Sequence, residues 1–563
     1  MQQTCKNSWC GQAFEITDED LKFYEKISPE FAGKKYPIPP PTLCPECREQ
    51  RRLAHVNRSH LYRRTSDFSG KEIISIFSPE KKLKVYENEI WWSDQWDPLT
   101  YGHTADGTKP ILPQIGKLFT EVPVMALFNE ANENSPYVNT TGWAKNCYLC
   151  YGADYSEDCY YGEAVYHCRN TLDSHSCQRC EQCYECIDCN DCFSVLYGQN
   201  CNQCNDCFLI DNCIGCHDCF GCSGLRHKEY CYFNEECSAK DYQAKVNSHL
   251  PLTHLAIADA KAKWQVLKLQ QPHKFCIGVK NENVSGNYLW QSKNAYLCFD
   301  SDDLEDCKYC TNMRTAKDCH DTNYWGHSGE LLYENMAVGE GAIQVHFSNC
   351  VWGGTENMLY CAYCIGSKNC FGCSGLRHKQ YCMLNKQYSK DDYERNVSLL
   401  IEQMRKTGEW GEFPPASLSV FAYGESLAQE FFPLTREEVL RRSWQWSDYE
   451  PPVLQVEKII HPKDLPPSID DIPDDILNWA IECEATKKPF KIIKQELDFY
   501  RNRRLPIPHF HPDERHRRRM ALRNPRKLWN RTCASCQKPI ATSYSSERPE
   551  IVYCEECYLK TMY

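Results

Sequence analysis

Two pairs of cysteines open the chain, Cys5-x4-Cys10 and Cys44-Pro-Glu-Cys47, and two pairs close it, Cys533-x2-Cys536 and Cys554-x2-Cys557. A short loop between paired cysteines can aim both sulfurs at one ion while its backbone N–H groups stabilise the thiolate charge. Two such pairs supply the four ligands of a tetrahedral zinc site, so the spacing predicts about two zinc ions per chain.

Between these ends lies a second cysteine pattern with a different logic. Cys147, Cys150, Cys159, Cys168, Cys177, Cys180, Cys183, Cys186, Cys189, Cys192, Cys201, Cys204, Cys207, Cys213, Cys216, Cys219 and Cys222 all stand at multiples of three residues from one another. An amide or acid often precedes the cysteine and an aromatic residue often follows it, giving the unit [Asn/Asp]-Cys-[Tyr/Phe]. The dense run Cys177–Cys192 admits three readings: an apolar ladder of packed thiols, a thiolate cluster for iron–sulfur or stored metal, or a redox site. The pattern returns in a second copy, where Ser328, Leu331, Ala337, Glu340 and Ile343 replace Cys177, Cys180, Cys186, Cys189 and Cys192. Leucine and isoleucine at those places favour the packed ladder.

The elements that hold these residues are repeated as well. Phe220-Gly-Cys-Ser-Gly-Leu-Arg-His-Lys228 recurs unchanged as Phe371 to Lys379, and Lys145-Asn-Cys-Tyr-Leu-Cys150 recurs as Lys293-Asn-Ala-Tyr-Leu-Cys298. The copies are offset by 148 residues at the start and 151 at the end, so even their length difference is one triplet. Repetition in threes predicts stacked short coils, a duplicated parallel β-solenoid, with the length of a coil left open because spacings of 9, 12 and 15 all occur. A helix with Ser238 as N-cap closes one copy and a helix beginning at Ser389 closes the other.

The two ends also match each other. Leu21-Lys-Phe-Tyr24 corresponds to Leu497-Asp-Phe-Tyr500, Pro37-Ile-Pro39 to Pro506-Ile-Pro508, and Val85-Tyr86-Glu87 to Val552-Tyr553-Cys554. Each end is a tandem of two ribbons that have lost opposite sites. Ser66, Ser69, Glu87 and Ile90 fill the four places of the second N-terminal ribbon. Cys483, Thr486, His511 and Glu514 fill those of the first C-terminal one, where Cys483, His511 and Glu514 form a candidate third metal site. Arginines crowd beside the ribbons, and Arg48, Arg51, Arg52, Arg515, Arg517, Arg518 and Arg519 are candidate phosphate contacts, with charge compensation of a thiolate centre as the alternative. Trp91, Trp92 and Trp96 are expected to seat the N-terminal module on the domain that follows it.

The sequence from the first cysteine pair through Phe-x-Ile, an acidic segment ending Phe-Tyr, a proline-rich approach and Cys-Pro-x-Cys-Arg resembles the small family of probable zinc-ribbon domains over residues 5 to 52. It resembles that family in degenerate form over 483 to 520. The architecture as a whole is similar to uncharacterised cysteine-rich zinc-ribbon proteins of candidate-phylum bacteria. The resemblance implies zinc and offers no reaction.

The reading is therefore a mostly β, multidomain chain: an N-terminal tandem zinc-ribbon module (1–101), solenoid copy 1 with its capping helix (102–270), solenoid copy 2 with its capping helix (271–410), a linker with a short helix (411–475) and a C-terminal tandem module (476–563). With 563 residues, 39 cysteines, 42% apolar residues and a net charge of −12, it can bury a core and is not basic overall. No apolar run is long enough to cross a bilayer and the start reads as lacking a signal region, so a cytoplasmic location is expected. Phosphate-binding loop, dinucleotide fingerprint, nucleophile elbow and His-Glu-x2-His helix are all missing from the sequence, which points away from an enzyme. His227 and His378 recur at equivalent places and read as turn residues rather than a catalytic pair. Three functions follow: a zinc-binding scaffold touching RNA or the ribosome through its basic ends, an assembly scaffold pairing with itself or another protein, or a thiolate-metal or redox protein built on Cys177–Cys192.

Overall fold

The computed structural model describes residues 1–163, 166–173, 184, 187, 198–199, 204–452 and 454–561. All six cysteines of the run Cys177–Cys192 lie outside the described residues. What is described is mostly strand, with twelve α-helices and several sheets. The largest sheet has eleven strands and runs parallel until its last strand, Lys386–Gln387, which turns back.

The parallel strands repeat at a fixed step. Glu157 pairs with Arg169, Phe208 with Phe220, Phe299 with Thr311 and Lys368 with Gln380, each partner twelve residues further on. The step widens to thirteen where Glu330 pairs with Ile343 and Ile343 with Glu356.

The triplet explains this geometry. The residue before each inward position takes the left-handed backbone conformation, as at Asn146 (φ +53°), Asp158 (+54°), Asn212 (+51°), Asn294 (+51°) and Asp318 (+51°). That conformation costs an ordinary L-residue about 1–2 kcal/mol and is tolerated best by Asn, Asp and Gly, which accounts for the residue preceding the cysteine. Corners in successive rungs also bond one another: Asn134 Nδ2 donates to Asn146 Oδ1 at 2.8 Å and Asn294 Nδ2 to Asp306 Oδ1 at 2.8 Å.

Inside the ladder the cysteines are packed thiols. Cys150 Sγ lies 3.1 Å from the carbonyl oxygen of Cys159, Cys310 Sγ 3.2 Å from that of Cys319, and Cys222 Sγ 3.5 Å from that of Cys231, each nine residues on, while Cys319 Sγ reaches the carbonyl of Gly329, ten on. Burial raises the pKa of Cys150, Cys307 and Cys350, whereas at Cys310 and Cys361 it is opposed by hydrogen bonds from neighbouring thiols that hold those two low. Serine fits the same inward place, as the N–H of Cys147 donates to Ser135 Oγ at 2.9 Å and that of Met313 to Ser301 Oγ at 3.1 Å. Outside, charges alternate along the stack: Glu157 faces Arg169, Lys317 faces Glu305 and Lys368 faces Glu356. His227 and His378 are left-handed corners (φ +49° and +51°) whose rings sit over Gly215 and Gly366, where a Cβ would come within 2.5 and 2.4 Å of Nδ1. Their recurrence is thus a packing requirement.

The chain divides into two compact units, each drawn from two separate stretches. One joins Met1–Ala126 to Cys276–Tyr449, and the other joins Leu127–Phe275 to Glu450–Tyr563. The N-terminal module therefore belongs with the second ladder copy and the C-terminal module with the first. In the first unit, Lys390–Thr407 starts at N-cap Ser389 and ends at Gly408 (φ +76°), and its Tyr393 packs on Tyr381 of the strand Gln380–Met383. In the second, Ala239–Asn247 starts at N-cap Ser238, and His254–Gln270 lies along the ladder, where Trp264 Nε1 donates to the Cys222 carbonyl at 3.1 Å.

Candidate metal centres and the clamps that seat them

In the first unit the strands Gln2–Thr4 and Ala13–Glu15 form a hairpin that presents Cys5 and Cys10. Cys44 is the N-cap of helix Pro45–Leu53, with Pro45 at the first helical position and Cys47 in the first turn. The ligand atoms of Cys5, Cys10, Cys44 and Cys47 all lie within 4.8 Å of one another, with Cys10 and Cys44 sulfurs 3.7 Å apart.

The second unit repeats this construction at Cys533, Cys536, Cys554 and Cys557, again within 4.8 Å of one another. Cys554 caps helix Glu555–Leu559, and its N–H donates to Cys533 Sγ at 3.2 Å. Burial works against ionising Cys533, yet the backbone N–H groups of Cys536, Cys554 and Ser535 hold its pKa down at about 6. Four converging sulfurs with N–H donors aimed at them make a donor set for a soft tetrahedral cation, so both groups could hold a metal ion.

The degenerate places behave otherwise. Ser66 Oγ bonds the Glu87 carboxylate and receives the N–H of Phe68 at 3.2 Å. Despite burial, Ser66 and Ser69 hold the Glu87 pKa below the usual range. A hydroxyl–carboxylate network stands where the ion would be. At the other degenerate ribbon, Glu514 is held by Arg517 at 2.7 Å and Arg518 at 2.8 Å, His511 Nδ1 accepts the N–H of Asp513, and Cys483 Sγ accepts that of Thr486 at 3.5 Å. Among the described residues Cys483, His511 and Glu514 do not form a converging ligand group.

The arginines beside the centres correct the expectation of phosphate contacts. Arg48 Nε sits 2.8 Å from Asp321, and Arg52 lies 3.4 Å from Asp321 and 2.9 Å from Glu334. Arg51 bridges Glu334 at 2.9 Å and Glu412 at 2.7 Å. In the second unit Arg515 lies 2.8 Å from Asp173 and 3.0 Å from Glu496, and Arg519 lies 3.2 Å from Asp173. The Arg52 side chain is 0% exposed and that of Arg515 4%, so neither can meet a phosphate without unfolding its site. Arg517 and Arg518 do face solvent, sharing Glu514.

These clamps are the same device built twice. Asp321 follows Asp173 by the 148-residue offset of the ladder copies, while Arg48 and Arg52 match Arg515 and Arg519 in the two modules. Arg48 stacks over Tyr309 at 5.1 Å, and Arg515 over the matching Tyr161 at 4.6 Å. Tyr24 meets Tyr333, and its counterpart Tyr500 meets Tyr184. Sequence reading found the arginines and missed their acids, because Asp173 and Asp321 look like any other corner aspartate.

The tryptophans are also corrected. Trp92 packs against Trp352 with ring centres 6.2 Å apart, and Arg377 lies over Trp91 and Trp96 at 5.7 and 5.3 Å. They seat the N-terminal module on the second ladder copy, not on the one that follows it in sequence.

No family model matches the chain, and neither a curated protein nor a solved structure matches it. The site defines a cysteine-rich chain with two four-cysteine clusters near its termini, consistent with zinc-ribbon-like motifs. Among the described residues no helix is long and apolar enough to cross a membrane.

Proposed function

We propose that the protein is a zinc-dependent, non-enzymatic scaffold for protein assembly: two zinc-ribbon modules, each folded around one ion, fastened to two short-coil β-solenoids. The observation that carries this reading is the pair of converging four-cysteine groups, each in a module that an arginine helix fastens to a ladder. Zinc suits four sulfurs in a closed tetrahedral set and contributes folding energy rather than a reaction. The thiols of the described ladder lie against backbone carbonyls nine residues on, which supports the solenoid reading.

A protein partner is favoured over RNA because five of the seven arginines expected at a nucleic-acid surface are buried in ion pairs, while the chain carries a net charge of −12. Elemental analysis with an absorbance spectrum, on protein purified without oxygen, tests the metal. About two zinc ions and no visible absorption are expected, whereas iron with a brown spectrum would replace this reading with a thiolate-cluster one. RNA retention by the full chain tests the partner: tight, salt-sensitive binding that Arg517→Glu and Arg518→Glu abolish would restore the RNA reading.

A further inference from the structure

The chain passes from the first unit to the second after Ala126, and back again after Phe275. At these first two of the three crossings the last residues before the break are held as an added parallel strand by the second ribbon of the module in that unit. Val124–Met125 pairs with Val85–Tyr86, and Pro272–Lys274 pairs with Ile551–Tyr553.

The two attachments agree bond for bond. Ala126 N–H donates to the Tyr86 carbonyl at 2.9 Å, and Phe275 N–H donates to the matching Tyr553 carbonyl at 2.9 Å. The receiving strand is tied down in the same way in each: Asp67 N–H donates to the Val85 carbonyl, and Ala534 N–H to that of Val552, both at 2.9 Å. The crossing strand is fixed once more on its far side, where Ile76 N–H donates to the Ala126 carbonyl at 3.0 Å and Thr542 Oγ1 to that of Phe275 at 2.7 Å.

The residue that follows the receiving strand is where they part. It is Glu87 in the first unit, joined to Ser66, and Cys554 in the second, a member of a four-cysteine group. The first strand is therefore aligned by hydrogen bonds within the chain. The second belongs to a ribbon of strands only three or four residues long, Trp529–Thr532, Pro539–Thr542 and Ile551–Tyr553, whose small core includes Cys533, Cys554 and Cys557 themselves. Ribbons of this size lose their fold with their ion.

We propose that the C-terminal four-cysteine centre is a metal-dependent latch on Pro272–Phe275, the segment by which the chain returns from the second unit to the first, and that the matching latch on Val124–Ala126 closes without metal. The inference rests on the metal reading of Cys533, Cys536, Cys554 and Cys557 given above. When that ion leaves, the ribbon loses the order of Ile551–Tyr553, and the amide of Phe275 and its neighbours open to solvent. Lys274, whose ammonium pairs with Glu555 at 2.8 Å beside the centre, opens with them.

The test is hydrogen exchange on the full chain, wild type against Cys536→Ser, with metal content measured on the same samples. The expected result is loss of one ion of two, at least tenfold faster exchange over 272–275, and unchanged exchange over 124–126 and in the ladder strand His217–Ser223. Wild-type protein without metal would remove the underlying metal reading. Loss of one ion with 272–275 still protected would overturn the latch while leaving that reading intact, and equal loss of protection in His217–Ser223 would overturn it as well, since the effect would then be general unfolding. Thr542→Val, which cuts the bond to Phe275 with all four cysteines in place, gives the second check: exchange over 272–275 should rise a few-fold at unchanged metal content.

Discussion

The two units are the same composite, a ribbon module clamped to a cysteine ladder, assembled from opposite ends of the chain. Asp321 receives Arg48 and Arg52 in one, and Asp173 receives Arg515 and Arg519 in the other. The metal groups do not follow this equivalence: the four-cysteine set lies in the first ribbon of one module and in the second ribbon of the other. What has been kept is the clamp, and what has drifted is the place of the ion. Each module thus has one ribbon whose four cysteines could hold an ion, while the other ribbon of the first module is joined by hydrogen bonds, as between Ser66 and Glu87.

The largest effect expected is loss of a ligand. Cys44→Ser should lower metal content from about two ions per chain to about one and abolish exchange protection in helix Pro45–Leu53 while the C-terminal centre keeps its ion, because a structural zinc supplies on the order of 10 kcal/mol of folding free energy. Full metal content in that variant would remove Cys44 from the site. Next come the clamps. Asp321→Ala leaves Arg48 and Arg52 short of a buried partner and should destabilise the first unit by about 3–5 kcal/mol; Asp173→Ala should do the same to the second. Exchange protection read unit by unit decides the matter. Loosening of helix Pro45–Leu53 by Asp173→Ala would break the crosswise assignment of modules to ladders.

How much of this the sequence shows depends on how local the signal is. The four-cysteine groups are legible because each ligand pair is a short loop, and the triplet is legible because every inward residue repeats its phase. The twelve-residue step is not, for a physical reason: each rung has four equivalent inward positions three residues apart, any of which can take Cys, so spacings of 9, 12 and 15 all appear and none marks the rung. The crosswise pairing is hidden in the same way. Asp173 and Asp321 serve as corners like their neighbours, and only their contacts set them apart. The tryptophans misled because adjacency in sequence stood in for adjacency in space, whereas Trp92 meets Trp352.

The comparison can also be sharpened between kinds of cysteine. Cys307 is an inward thiol, its Sγ 3.5 Å from the Ala316 carbonyl, with Ala295 at the matching place one rung before. Serine occupies such places elsewhere, so Cys307→Ser should cost no more than about 1 kcal/mol and leave metal content unchanged. Cys307→Leu adds bulk to a filled interior and should cost about 1–3 kcal/mol. Loss of an ion on Cys307→Ser would move this thiol from packing to metal binding.

The smallest effect at neutral pH shows in acid, at one position where the two ladder copies differ. His320 stacks on Phe23 with ring centres 3.7 Å apart, and its place in the first ladder copy is held by Leu172. Burial pushes its pKa down to about 3, with Asp20 opposing the shift and Lys308 and Arg48 adding to it. His346, also in the first unit, is pushed to about 4 by burial. In the unfolded chain such residues take up a proton near pH 6.5, while in the folded unit they stay neutral. The unfolded state therefore binds more protons as pH falls below about 6.5, and each buried histidine removes up to about 1.4 kcal/mol of stability per pH unit until its folded pKa is reached. His320→Leu, which installs the residue of the other copy, should leave stability near pH 8 almost unchanged and reduce the acid slope of the first unit by one proton's worth. Denaturant titrations at pH 8, 6 and 5 measure that slope. An undiminished slope in the variant would mean that His320 is protonated in the folded unit, and that Asp20, 3.9 Å from its Nδ1, outweighs the burial.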